Sequence, residues 1–145
     1  MDAETIFKLF LALFLGALIG LEREIKRKEA GLQTYALVVL GTCLFTILGF
    51  KFFYLFSDKQ SVNFDSLVII QAVATGIGFI GAGVIFRGEQ GTRGLTTAAG
   101  LWVAAAIGVS VGANFYFLAI LTTVFTILIF SGLGLFEEKF LRKNE

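Results

Sequence analysis

Histidine and proline are both absent from these 145 residues, and Cys43 is the only cysteine. Without a second cysteine no disulfide forms within the chain. Without histidine there is neither an imidazole metal ligand nor imidazole acid–base chemistry. Lacking proline, the chain depends on glycine for any helix break. Charge is also scarce: 16% of residues are charged and 57% hydrophobic, against about 25% charged in an ordinary soluble domain. A net charge of +1, with its basic residues divided among several short segments, gives no nucleic-acid-binding stripe. No nucleophile–base pair or paired carboxylates stand out, so no enzyme is expected, and neither a cofactor nor a set of metal ligands is implied.

What the chain has in abundance is apolar sequence. Five runs approach the roughly 20 residues a helix needs to cross the hydrocarbon core: Thr5–Leu21, Leu32–Phe50, Leu67–Phe86, Leu95–Gly112 and Phe115–Phe136. A chain this short has no soluble core in which to bury them, so the expected fold is an all-α integral membrane protein of five transmembrane helices. One membrane domain over 1–136 is followed by a short charged tail over 137–145. The first run is preceded by Asp2 and Glu4 and followed by basic residues, the reverse of a secretory signal, so it is expected to be a retained span. Lys8 near its start can snorkel outward. Phe52, Phe53, Tyr54 and Phe56 around Lys51 form an interfacial collar after the second span. Cys43, inside that span, reads as a small packing residue.

Orientation follows from the basic residues. Placing the first loop in the cytoplasm puts Arg23, Lys26, Arg27, Lys28, Arg87, Arg93, Lys139, Arg142 and Lys143 inside and only Lys8, Lys51 and Lys59 outside. The positive-inside rule then gives an N-terminus out and a C-terminus in. A gapless shift of 63 residues lays Gly31-Leu32-Gln33-Thr34 on Gly94-Leu95-Thr96-Thr97, with Gly20 on Gly83 and Ala36 on Ala99. That suggests a parallel repeat of helices 1–2 and 3–4.

Small residues recur at a spacing of four: Ala12, Gly16 and Gly20; Ala74, Gly78 and Ala82; Thr96, Gly100, Ala104, Gly108 and Gly112. This places them on single helix faces, where backbones approach closely in lipid. The run Gly76-Ile77-Gly78-Phe79-Ile80-Gly81-Ala82-Gly83 carries two readings. It is a close-packing surface, or a loosened helix whose carbonyls meet an ion. Thr96, Thr97, Gly100 and Gly108 of the fourth helix are candidates for the same two roles, helix packing or an ion path.

The charges worth noting lie at helix ends. Glu22 and Glu24 at the end of the first helix oppose the macrodipole, as does Arg93 before the fourth, whereas Arg87 after the third obeys it. Mutual compensation predicts that Glu22 or Glu24 pairs with Arg93 or Arg87, and with Arg23 these are the proposed functional charges. The loop Gly88–Gly94 lacks the Gly-Lys-Ser/Thr ending of a phosphate-binding loop and reads as a tight turn between helices. Asn114 is expected to turn the chain between helices four and five, and Trp102 to pack.

Gly16-Ala17-Leu18-Ile19-Gly20-Leu21-Glu22-Arg23-Glu24, Lys28-Glu29-Ala30-Gly31-Leu32, Thr75 to Ile85, Arg93-Gly94-Leu95-Thr96-Thr97-Ala98-Ala99, Leu101-Trp102 and Ala105 to Gly108 together closely resemble the MgtC/SapB family. The resemblance spans about Leu11 to Phe117. It implies a multi-pass protein of the bacterial inner membrane linked to low-magnesium adaptation and, in some pathogens, to survival inside host cells. Two activities are implied: regulation of another membrane protein, and ion transport, here through the carbonyls of the glycine-rich third helix. Gln33 stands where the family usually has arginine, and Val68 and Ala72 where arginine and glutamine are common, with Gln71 one position away. Many relatives carry a soluble C-terminal domain. This sequence ends nine residues after Phe136, so any sensing by such a domain is expected to be absent or supplied by another chain. The unused glycine faces lead to the expectation of a homodimer in the lipid bilayer and of a membrane-protein partner.

Overall fold

The computed structural model describes residues 3–56, 67–88 and 91–133. It contains α1 (Ala3–Ile25), α2 (Leu32–Phe56), α3 (Leu67–Val84), a hairpin of β1 (Phe86–Gly88) and β2 (Gly91–Arg93), α4 (Leu95–Gly112) and α5 (Tyr116–Leu128), the last running into a π-helical turn, Ile129–Leu133. The first four helices are long and apolar enough to cross a bilayer, and α5 with its terminal turn forms a shorter apolar helix, Tyr116–Gly132. The fold is therefore all-helical apart from the hairpin. The loop over 57–65 and the charged tail lie outside the described residues.

Small residues set the packing. The Cα of Gly16 lies against the Tyr35 carbonyl and Ala36, and that of Gly20 against Leu32, which locks α1 onto α2. Gly108 lies against Val39 and Thr42, and Gly112 against Cys43 and Thr46, which seats α4 on the other face of α2. α2 is thus the central helix, and Tyr35, Val39 and Cys43 on it are fully buried. Its hydroxyls are satisfied locally: Thr42 donates to the Val38 carbonyl at 2.9 Å and Thr46 to that of Thr42 at 2.8 Å, so neither leaves an unmet donor in an apolar core.

α3 stands at the edge. It packs on α4, where a Cβ added at Gly81 would meet Ala98 at 3.6 Å, while one added at Gly76, Gly78 or Gly83 would meet nothing within 4 Å. Its helix is continuous through all four glycines. Between α3 and α4 lies an apolar groove of about 240 Å³ lined by Val73, Ile77, Trp102 and Val109 among others. Trp102 is half exposed there and is not a core residue.

Two expected boundaries move. Glu22, Arg23 and Glu24 belong to the last turns of α1 and not to a loop. Of the expected turn over 88–94, residues 89–90 lie outside the described residues, and its flanks form an antiparallel pair joining Phe86 to Arg93 and Arg87 to Thr92. Gly94 then carries φ 85° and enters α4 so close to the Val84 carbonyl that no side chain fits. At the opposite end Asn114 takes φ 70°, and its side-chain oxygen accepts from the Tyr116 hydroxyl at 2.9 Å, closing the α4–α5 turn as expected.

Candidate functional site: a buried charge cluster where four helices end

The end of α1, the starts of α2 and α4 and the end of α5 converge on one end of the bundle. Arg23 lies at the centre. It is 3% exposed, with its guanidinium 4.1 Å from the centre of the Phe130 ring and 3.5 Å from the Glu22 carboxylate. Burying a guanidinium is costly unless it is neutralised. Glu22 supplies the charge and the face of Phe130 the rest. Glu22 in turn binds the Lys26 ammonium at 2.6 Å, and Lys26 also donates to the Phe130 carbonyl at 2.8 Å. The Ser131 hydroxyl donates to the same Glu22 carboxylate oxygen at 3.4 Å. The π turn of α5 is therefore held on α1 by an aromatic face, a carbonyl and a hydroxyl from two consecutive residues.

A second set of contacts ties down the helix starts. Glu24 Oε2 accepts from the Leu32 backbone N–H at 3.0 Å, placing a carboxylate on the positive end of α2. Gly31 lies directly beside it, and a Cβ there would displace that carboxylate from the Leu32 N–H. Glu29 accepts from the Thr97 hydroxyl at 2.6 Å in the first turn of α4, and the buried Tyr35 hydroxyl donates to the Thr97 carbonyl at 3.4 Å. The Thr97 hydroxyl, with its own backbone N–H and the charges of Lys28 and Arg23, holds the Glu29 carboxyl below the usual glutamate range. Tyr35 and Phe130 meet edge to face at 6.4 Å, and both fill the hollow left by Gly100.

The expected pairing of Glu22 or Glu24 with Arg87 or Arg93 is replaced by these contacts. Lys26 lies one turn from Glu22 on the same helix face, a shorter reach than a loop from another hairpin. Glu24 finds its compensation at the start of α2. Arg87 and Arg93 are exposed on the hairpin, as are Gly76, Gly78 and Gly83 on α3, whereas Thr97, Gly100 and Gly108 are buried and Thr96 is exposed. Lys26, Glu29, Tyr35, Phe130 and Ser131 join the cluster in addition to the charges expected from the sequence. The Glu22–Lys26 spacing of four was the available signal. Phe130, more than a hundred residues from Arg23, left none. Among the described residues no group of three or more acidic or cysteine side chains converges on a metal-sized site.

Four long apolar helices, a fifth shorter one and charge gathered at a helix-end cluster define a multi-pass membrane protein. The chain belongs to the MgtC family, whose sequence profile matches residues 9–139. It is 41% identical over 147 residues to YhiD of Escherichia coli K12, which its name describes as a proposed magnesium transporter; the match covers 99% of this chain and 67% of that one. It is 38% identical over 128 residues to SapB of Bacillus subtilis 168, covering 88% and 55%, and 40% identical over 118 residues to MgtC of Brucella abortus 2308, covering 81% and 46%. The chain thus spans from about half to two thirds of these relatives' lengths. No solved structure matches it.

Proposed function

We propose that this is an inner-membrane protein of magnesium homeostasis that acts by binding and modulating another membrane protein through the open face of α3. Five spans with the charge cluster in the cytoplasm and a homodimeric state complete the reading. The observation that carries it is the contrast among the small-residue faces. Those of α1 and α4 are consumed in packing on α2, while a Cβ added at Gly76, Gly78 or Gly83 of α3 would meet nothing within 4 Å and Phe79 is 85% exposed. A glycine in a lipid-facing helix costs about 0.5–1 kcal/mol relative to alanine. Gly76 and Gly83, seven residues apart, share one open stripe of α3, which is well suited to receiving a neighbouring helix at close range.

The competing reading is a small ion transporter using the carbonyls of this helix, and the name of the E. coli relative supports it. Against it, α3 runs unbroken from Leu67 to Val84, so the carbonyls of Gly76 and Gly78 are engaged in the helical ladder. The test is growth in limiting magnesium of a strain lacking the gene, complemented by wild type or by Gly83→Leu. A Cβ added at Gly83 meets nothing within 4 Å, so folding is expected to persist while complementation is lost. Full complementation by Gly83→Leu would remove α3 from the function.

A further inference from the structure

We propose that the β1–β2 hairpin is a docking surface for anionic phospholipids, with Phe86 seated where the acyl chains begin and Arg87 bonded to headgroup phosphate. Helix length fixes where the hairpin stands. α3 and α4, which it joins, have 18 residues each, about 27 Å at roughly 1.5 Å per residue. That nearly matches the roughly 30 Å of hydrocarbon, beyond which lies a headgroup layer of about 5–8 Å on each side. Gly94 enters α4 tight against the Val84 carbonyl at the end of α3, so the hairpin starts at that boundary. Its strands are three residues long, roughly 10 Å at about 3.3 Å per residue. Even standing upright, it lies mostly at headgroup depth.

Independently, the hairpin has nothing of its own to rest on. Among the described residues β1 pairs with β2 alone, and Phe86, Arg87, Thr92 and Arg93 are all exposed. A two-stranded pair of this size is marginal in water. The side chains at its base are apolar, with Ile85, Phe86 and Leu95 exposed by 38%, 60% and 57%. An aromatic ring beside arginine suits the boundary between acyl chains and headgroups.

Charge selects the lipid. Arg87 and Thr92 are cross-strand partners and so share one face. A guanidinium offers phosphate two parallel donors, and a hydroxyl adds another. The Glu29–Thr97 bond brings the exposed Arg27 and Lys28 of the α1–α2 loop to the same end of the bundle. Across these two connections Arg23, Lys26, Arg27, Lys28, Arg87 and Arg93 outweigh Glu22, Glu24, Glu29 and Glu89. The surplus favours a phospholipid of net negative charge over a zwitterionic one.

The experiment places a fluorophore on the hairpin. Phe86→Trp in a Trp102→Phe background gives the full chain a single indole, at position 86. The protein is held in nanodiscs of equimolar phosphatidylcholine and phosphatidylglycerol, with brominated chains on one lipid or the other as quencher. The binding constant for phosphatidylglycerol relative to phosphatidylcholine is expected to be about fivefold or more, and Arg87→Gln to lower that ratio about threefold or more. Both leaflets of the nanodisc carry the same lipids, so the outcome does not depend on the orientation of the chain. Equal quenching by the two lipids, or an unchanged ratio in Arg87→Gln, would overturn the assignment. Quenching by aqueous iodide with none by either lipid would overturn it too, leaving the hairpin in water as a surface for a soluble protein. Should the fluorescent background not fold, native mass spectrometry of the otherwise unaltered chain replaces it. Retention of phosphatidylglycerol over phosphatidylcholine from an equimolar mixture is expected to fall about threefold or more in Arg87→Gln, and equal retention would overturn the assignment.

Discussion

Arg23 shows how one residue organises an end of the bundle. Arg23→Met keeps the length of the side chain but removes the cation under the Phe130 ring, and Glu22 loses one of its two positive partners. Breaking a buried pair costs about 3–5 kcal/mol; because Lys26 still neutralises Glu22, a loss near about 3 kcal/mol is expected, measured by chemical unfolding in mixed micelles. A variant as stable as wild type would mean that the cluster is ornamental to folding. Glu29 gives a pH signature. Its carboxyl is held below the ordinary range chiefly by Thr97, so its contribution to stability is present at neutral pH. That contribution is lost as pH falls below the ordinary glutamate value of about 4.3 and through the lower folded one. Thr97→Val brings the folded value back toward the ordinary one. The variant's stability should therefore fall less steeply with acidification than wild type's, and parallel curves would contradict this role.

At the scale of the helix, glycines of similar sequence context divide into two kinds. A methyl at Gly108 would collide with Thr42 and with the Val39 carbonyl, so Gly108→Ala is expected to cost about 1–3 kcal/mol. A methyl at Gly78 meets nothing, so Gly78→Ala should be neutral or up to about 1 kcal/mol stabilising through helix propensity. Paired unfolding measurements on the two variants check both at once. The spacing of four on α1 and α4 was legible in the sequence because it reports the local geometry of a helix face. Which face meets which neighbour was not, since α3's Gly78 and α4's Gly108 look alike until α2 is placed between α1 and α4. The π turn at Ile129–Leu133 was unreadable for a related reason. It serves Phe130 and Ser131 in reaching Arg23 and Glu22, contacts more than a hundred residues apart in the chain. That Glu22 and Glu24 need compensation was legible from the macrodipole alone; that Lys26 and the start of α2 supply it was not.

For the molecule as a whole, the convergence of four helix ends at Arg23 puts the α1–α2 loop and the start of α4 at the same end of the bundle. With the positive-inside rule this end is expected to face the cytoplasm. Single cysteines at Arg27 and Thr92 in a Cys43→Ala background should both resist a membrane-impermeant thiol reagent in intact cells and react in inverted vesicles. Opposite behaviour of the two would break the architecture. On the proposed function the open face of α3 receives a partner and does not pass ions. This is tested most directly by flux into liposomes containing the purified protein, with magnesium, sodium, potassium and protons measured in turn. No flux above that of empty liposomes is predicted for any of the four ions. Ion-selective flux that disappears in a folded Gly78→Leu variant would contradict it and make α3 a conduction path.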